Sequence, residues 1–336
     1  MTKRAIFDVT VAGTNISTTL LPVLISLTVS DKVGTHSDTA NLEIDDTDGR
    51  IILPALGAPV TIALGWADEG VRVVFQGTVD EVKSTGSRGG GRSLTIAAKG
   101  VDTTRKPKEG QQRHFDDSTV EEILRQAGAA AGMTAFAIDP GLGSIRRPYF
   151  EMRDESFIHA GERLAREIGG NFRIEGTRVT LTRRAGAYTA QIIAAAGRNL
   201  HSWDIAPALG RGRYGKTRAR SYDMARAETI TTETGTDLDA EATHARREFE
   251  STADDAKRAV DADAATSKQA AGGGSVTIEG SSAAIPDGLC IVTGARPGVD
   301  GAYRIKSVTH QYSRGGGFIT SLELIEPRDG AGSDSR

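Results

Sequence analysis

Val60-Thr61-Ile62-Ala63-Leu64-Gly65-Trp66, followed after the turn Glu69-Gly70 by Val71-Arg72-Val73-Val74-Phe75-Gln76-Gly77-Thr78-Val79, sets the fold class. Val60, Ile62, Leu64 and Trp66 alternate along the first run, and Val71, Val73 and Phe75 along the second. A period of two puts every second side chain on one face, so each run predicts a strand with one face buried and one wet. Gly77 stands where a bulge or tight bend fits. The same period runs through Phe7, Val9 and Val11, through Ile25, Leu27 and Val29, through Ala40, Leu42 and Ile44, and through Leu94, Ile96 and Ala98. Asp48-Gly49 and the loop Gly86-Ser87-Arg88-Gly89-Gly90-Gly91 supply turn chemistry between them. Strands of this length predict an antiparallel sheet curled over one core, a barrel or a sandwich.

Around residue 101 the pattern changes. Ser118-Thr119-Val120-Glu121 reads as a capping box, and Val120, Ile123, Leu124 and Ala127 follow at helical spacing. A second helix is predicted from Ser156 to Ile168 and ends at Gly169-Gly170. Phe172 and Ile174, the turn Glu175-Gly176-Thr177, then Val179 and Leu181 predict a hairpin. From Asp237 to Lys268 there is no Gly or Pro, and Ala242, Ala245, Phe249, Ala253, Ala256, Val260 and Ala264 keep a spacing of three to four. That predicts one long helix, 237–268, of roughly 45 Å. Strand patterns return at Val276 and Ile278, at Leu289 to Val292, at Tyr303 to Val308 and at Phe318 to Leu324. The expected organisation is a β unit over 1–104, an α+β insertion over 105–197, a second β unit over 198–328 that includes the long helix, and a flexible tail over 329–336.

Composition excludes several classes. Forty-one Lys and Arg against 44 Asp and Glu leave a net charge of −3 in 336 residues, so no global pull on nucleic acid or membrane is implied. The single cysteine, Cys290, excludes an intrachain disulfide and a Cys-cluster zinc site. No apolar run approaches the ~18 residues of a membrane span, and Met1-Thr2-Lys3-Arg4 leads into no apolar leader. The expectation is a soluble protein made in the reducing cytoplasm of a bacterium.

Gly210-Arg211-Gly212-Arg213-Tyr214-Gly215-Lys216-Thr217 matches the phosphate-loop pattern, and its glycines match the dinucleotide fingerprint. Either function needs a buried strand before the loop and a helix after it. Pro207 interrupts the approach, and Arg218-Ala219-Arg220-Ser221-Tyr222 continues in strand-like alternation, so a bent loop entering a strand is the better reading. Asp45-Asp46-Thr47-Asp48-Gly49 lacks calcium-loop ligands at Ile44 and Ala55 and reads as an acidic turn. The histidines are scattered, and nothing resembles a Gly-x-Ser-x-Gly elbow. Residues 198–226 carry Arg198, Arg211, Arg213, Lys216, Arg218, Arg220 and Arg226 against Asp204 and Asp223. With only Trp203, Tyr214 and Tyr222 interleaved, this basic stripe predicts a contact with the acidic long helix, within the chain or between chains, as readily as with phosphates.

The order of these pieces resembles the late control gene D family of phage tail proteins, the baseplate hub of contractile-tailed phages and related injection machines. Ala40 to Asp48 with Pro54, Gly57 and Val60 to Trp66 is similar to the family's first-barrel segment, Phe75-Gln76-Gly77-Thr78-Val79 to its Phe-x-Gly-x-Val strand, and Leu94 to Asp102 to the strand after it. Ser118 to Leu124 resembles the first insert helix, and Glu155-Ser156-Phe157 through Arg163-Leu164-Ala165 with Gly169 the second. Gly301-Ala302-Tyr303-Arg304-Ile305, then Val308 and His310, then Gly317-Phe318-Ile319-Thr320, resembles the closing hairpin. The 210–217 match has no counterpart in the family and is treated as accidental.

The resemblance implies a mainly β fold: two tail-tube-like antiparallel β-barrels, a mixed α+β domain and one long helix. It implies a homotrimeric baseplate hub in the virion, assembled in the bacterial host cytoplasm, that adapts the sixfold tail tube to the threefold central spike. Tail tube or tube-initiator protein would lie on one face and a trimeric spike protein on the other, with tape measure and baseplate wedge proteins as further neighbours. No membrane and no specific nucleic acid are expected, nor any catalytic, cofactor-binding or metal residue. His310 and Tyr303 are expected to be structural members of the second barrel. The alternatives are the hub part of a bacterial secretion-type spike and a nucleotide-binding protein using residues 210–217.

Overall fold

The computed structural model describes residues 3–32, 38–100, 106–184, 188, 190–210, 212–224, 226–332 and 334. The first part holds β1 (Ala5–Val11), β2 (Thr14–Asn15), α1 (Ser17–Leu20), β3 (Leu24–Lys32), β4 (Thr39–Asp45), β5 (Pro59–Trp66), β6 (Gly70–Ser87) and β7 (Gly91–Lys99). The middle holds β8 (Gly110–Thr119), α2 (Val120–Ala130), β9 (Ala135–Ile138), α3 (Pro140–Gly143), β10 (Arg146–Ser156), α4 (Phe157–Glu167), β11 (Gly170–Glu175) and β12 (Arg178–Arg183). Then come β13 (Gln191–Ala195), β14 (Leu200–Ala206), β15 (Lys216–Asp223), β16 (Glu228–Gly235), β17 (Thr243–Glu250) and α5 (Ala253–Gln269). The chain closes with β18 (Gly273–Glu279), β19 (Leu289–Thr293), β20 (Gly301–Ser313) and β21 (Gly317–Arg328).

Two units of like connectivity carry the fold. In the first, hydrogen-bonded neighbours run β3–β4–β7–β6–β5–β1. In the second they run β14–β18–β21–β20–β19–β13. The path is the same strand for strand, and only the last step differs: β1 is antiparallel to β5, whereas β13 is parallel to β19. The units join through one long strand: β20 stays paired with β21 throughout, while its other edge passes from β19 in the first half to an antiparallel pairing with β3 in the second.

Each unit closes over its own core. Val9, Leu27, Leu42, Ile62, Leu64 and Leu94 fill the first, with Phe318 of β21 reaching into it. Ile192, Val276, Cys290, Tyr303, Ile305 and Leu324 fill the second. The insertion has a third, where Phe157 of α4 meets Phe172 of β11 edge-on with ring centroids 5.6 Å apart. Gly77 is required by close approach. A Cβ there would lie 2.2 Å from the Lys99 carbonyl oxygen, at the point where β6 passes from pairing with β5 to pairing with β7.

Several expectations are corrected. The long helix 237–268 is a strand followed by a shorter helix: residues 243–250 form β17, parallel to β15, and α5 begins only at Ala253. Thr252 caps it, its hydroxyl accepting from the Asp255 amide at 3.0 Å. Residues 243–250 satisfy helical spacing and strand alternation together, and pairing with β15 decides between them. This small sheet, β16–β15–β17, stands apart from the barrel and packs on α5 through Ala219, Ala256 and Val260. The insertion ends earlier than 197, because β13 belongs to the second barrel through β19. Its start at 105 falls outside the described residues. The capping box is shifted by one residue: the Thr119 hydroxyl accepts from the Glu122 amide and Glu122 accepts from the Thr119 amide. In the expected flexible tail, residues 329–332 turn back on the barrel, the Gly332 amide donating to Gly298 O at 2.8 Å. Of the rest, only Asp334 lies among the described residues.

Candidate functional site

The site these strands build is the sheet itself and its two ends. Eight strands form one continuous surface in the order β14–β18–β21–β20–β3–β4–β7–β6. One face of it covers the cores. The other carries mostly short polar side chains: Ser202 and Asp204, Ser275 and Thr277, Ser321 and Glu323, Thr309 and Gln311, Ser26 and Thr28, Asn41 and Glu43, Ser93 and Thr95. Cross-strand hydroxyl pairs knit it, Thr85 with Ser93 at 2.7 Å and Ser30 with Thr309 at 3.3 Å.

Both ends of this surface are open. Among the described residues β14 pairs with β18 and, beyond a single bridge from Leu200 to Ala196, with no other strand; its residues 201–204 are all exposed, including Trp203 at 43%. Residues 79–87 of β6 pair with β7 on one side; on the other, β5 covers 70–78 and Val79 bonds with Gly57 and Ala58, so among the described residues no strand pairs with the free side of 83–87. A strand edge with unpaired amides and carbonyls is a template for another strand.

Ion pairs tie the insertion to the first barrel and to α5, and another set lies inside the second barrel. Arg173 Nη2 lies 3.1 Å from Asp31 and 2.7 Å from Asp38, in a cleft of ≈ 1850 Å³ bounded by both barrels and the insertion. Burial pushes the Asp31 carboxyl up to about 8; Arg173 opposes that shift and the neighbouring Asp38 adds to it. Arg147 reaches Glu167 at 2.6 Å and Asp255 of α5 at 3.4 Å. In the second barrel Arg304, 2% exposed, holds Asp287 at 2.6 Å and Glu326 at 2.7 Å. Neither Arg173 nor Arg304 is marked in the sequence, since their partners are remote along the chain and the residue types are those of ordinary surfaces.

The residues singled out from sequence fall as follows. Lys216 and Thr217 open strand β15 and no helix follows the loop; the Thr217 hydroxyl is buried and donates to Val260 O at 2.8 Å. Arg211 lies outside the described residues. Lys216, Arg218, Arg220 and Tyr222 share the open face of β15, turned away from α5. The acidic helix is met instead by Arg246 of β17, whose Nε lies 2.8 Å from Asp263. Asp45 caps its own turn, accepting from the Thr47 amide at 3.0 Å and hydroxyl at 2.6 Å. Tyr303 is buried in the second barrel, its hydroxyl donating to Val299 O at 2.7 Å. His310 is buried too, but at the joint between the barrels: it lies opposite Val29, 5.8 Å from the Phe318 ring of the first core, with Nδ1 3.0 Å from the Thr320 hydroxyl. Among the described residues no group of three or more His, Cys, Asp and Glu could hold a metal ion.

Comparison with known proteins agrees with this architecture. The family model described as phage tail baseplate hub (GPD) matches residues 39–316. The probable baseplate hub protein of Escherichia phage 186 is 29% identical over 184 residues, covering 55% of this chain and 46% of that protein. That of Escherichia phage P2 is 28% identical over 169 residues, covering 50% and 42%. The matched part thus spans less than half the length of these curated relatives. Among solved structures, the 43 kDa tail protein of prophage MuSo2 from Shewanella oneidensis superposes with a TM-score of 0.73 at 15% identity, covering 96% of this chain and 98% of that one. The tail protein from Neisseria meningitidis MC58 gives 0.71 at 14% identity, with 98% of each chain covered. The E. coli c3393 protein, a component of the type VI secretion system, gives 0.58 at 13%, covering 98% of this chain and 79% of that one. At these identities the structures speak to fold alone.

Proposed function

Because the chain belongs to the phage tail baseplate hub family, we propose that it is a structural hub protein that closes into a homotrimeric ring between a sixfold tail tube and a threefold spike. The observation that carries this reading is the repeat within the chain: two barrels of the same strand path share one sheet that ends in two open edges. Three chains supply six barrels to a tube ring and three equivalent positions to a trimeric spike, so one closed assembly meets both symmetries. The polar sheet face would line the bore. Tail tube or tube-initiator protein would stack on one rim and the spike on the other, with tape measure and baseplate wedge proteins as further neighbours. The setting is the tail baseplate of a virion assembled in the bacterial cytoplasm. The role is geometric, and no bond is made or broken.

A hub of a bacterial secretion spike remains the second reading, favoured by the fold shared with the type VI secretion component. Native mass of the purified protein alone, and mixed with a candidate trimeric spike protein, tests the proposal. A trimer that takes up one spike trimer is expected; a monomer or dimer at micromolar concentration overturns it.

A further inference from the structure

The joint between the two barrels inside the chain has a register that can be carried over, residue by residue, to the open edges of the sheet. Inside the chain, β20 meets β3 antiparallel, with Ser313 opposite Ser26, Tyr312 opposite Leu27, Gln311 opposite Thr28, His310 opposite Val29 and Thr309 opposite Ser30. In the shared strand path β20 corresponds to β6 and β3 corresponds to β14. The open edges of β6 and β14 therefore carry the counterparts of the two strands that meet at the internal joint, at opposite ends of the eight-strand surface.

The correspondence can be counted. The β20–β21 hairpin closes at Ser313 opposite Gly317, and the β6–β7 hairpin at Ser87 opposite Gly91, so 313 corresponds to 87. Counting back, the register of β20 with β21 shifts at Lys306 and that of β6 with β7 shifts at Asp80, which is the same place in the count. On the other side, β3 pairs with β4 with a shift at Ile25 between Leu24 and Ser26. β14 pairs with β18 with a shift at His201 between Leu200 and Ser202. Ser26 therefore corresponds to Ser202. Two independent irregularities fall into step, one on each strand.

We propose that residues 83–87 of one chain pair antiparallel with residues 202–206 of the next, with Ser87 opposite Ser202, Gly86 opposite Trp203, Thr85 opposite Asp204, Ser84 opposite Ile205 and Lys83 opposite Ala206. This rests on the ring reading above and adds its register. The exposure pattern fits a strand lacking its neighbour: His310 and Val29 are 3% and 0% exposed at the internal joint, while their counterparts Ser84 and Ile205 are exposed and half-buried. Side-chain size fits as well. Trp203 meets Gly86, the one position on that edge with no side chain to displace, and a paired strand would cover its ring on the core side. Lys83 and Asp204 become diagonal neighbours on the polar face, within reach of a long side chain. Pro207 follows directly and cannot donate to a ladder, which limits the paired stretch on that side.

Disulfide trapping tests the register, since the only native cysteine, Cys290, is buried. In the proposed pairing Thr85→Cys and Asp204→Cys place two Cβ atoms about 5 Å apart across the joint, whereas Ser87→Cys with Asp204→Cys leaves about 7 Å or more. The first double variant is expected to oxidise to a covalent trimer on a non-reducing gel and the second to stay monomeric there. Trapping by the slipped pair, or equal trapping by both, overturns the register. Trp203→Ala supplies a readout without cysteines: loss of trimer on native mass with an unchanged circular dichroism spectrum is expected, and an undiminished trimer contradicts the proposal. If the unsubstituted protein is not a trimer at all, native mass shows it directly, and it is the ring reading that falls.

Discussion

The indole Nε1 of Trp66 donates a hydrogen bond to the carbonyl oxygen of Gly280 at 2.8 Å, across 214 residues of sequence. Trp66 ends β5 of the first barrel, and Gly280 follows β18 of the second. The bond is buried, and beside it the Trp66 and Phe318 rings pack with centroids 5.8 Å apart. The two barrels thus touch at a place where no strand pairing links them.

Trp66→Phe keeps most of the apolar contact and leaves the Gly280 carbonyl without its donor. A buried acceptor left unpaired costs about 1–3 kcal/mol. Urea denaturation should show a lower midpoint with an unchanged slope.

Among the described residues Arg304 alone reaches both Asp287 and Glu326, and Arg328 also pairs with Glu326. Arg304→Ala strips the guanidinium from Asp287 and leaves Glu326 with Arg328 alone, which is expected to destabilise by about 3 kcal/mol. Adding Asp287→Asn should recover part of the loss, since burial already raises that carboxyl. A double-mutant cycle in denaturant checks both.

His310 sets an acid limit. Burial lowers its pKa to about 4, against 6.5 for the free side chain, so the folded protein keeps it neutral while the unfolded chain protonates. Its contribution is fully present above pH 6.5 and is lost as pH falls through 4, on the order of 2–3 kcal/mol. Denaturation midpoints at pH 7, 5.5 and 4 should fall in that order, and His310→Gln should flatten the trend.

Asp31 acts in the opposite direction. With its carboxyl held up at about 8 in the fold and ionising near 4 when unfolded, stability is greatest below the unfolded value and declines as pH rises through the folded one. Asp31→Asn should leave stability near pH 4 almost unchanged and raise it at pH 8 by on the order of 1 kcal/mol or more. Thermal melts at the two pH values distinguish this from a uniform effect.

Residues 106–184 supply none of the strands of the eight-strand surface. Replacing them with a short Gly/Ser linker should leave a trimer on native mass and abolish co-purification with surrounding baseplate proteins. Loss of the trimer would place the insertion in the ring contact instead.

Much of this fold is legible in the sequence. Alternation at Val60, Ile62, Leu64 and Trp66 marks a strand because half its side chains meet a core and half meet water. Gly77 marks the bend because no side chain fits against Lys99. Residues 243–250 mislead because a partner strand, invisible along the chain, overrides their helical spacing. The repeat of strand paths is also hidden: β3 and β14 share pairing and bulge positions but little sequence, and backbone hydrogen bonding is indifferent to side-chain identity. The open edges are hidden for a related reason. Lys83, Ser84, Thr85, Gly86 and Ser87 look like any wet turn, and only the neighbours they lack give them meaning.

β20 is thirteen residues long, and its second half leaves one hydrophobic core to serve the other. A load that pulls the barrels apart along this strand cannot peel the bonds open one after another. It must shear the whole ladder from Ser307 to Ser313 at once. The load is then borne by all the bonds of that ladder together rather than by its end bonds in turn.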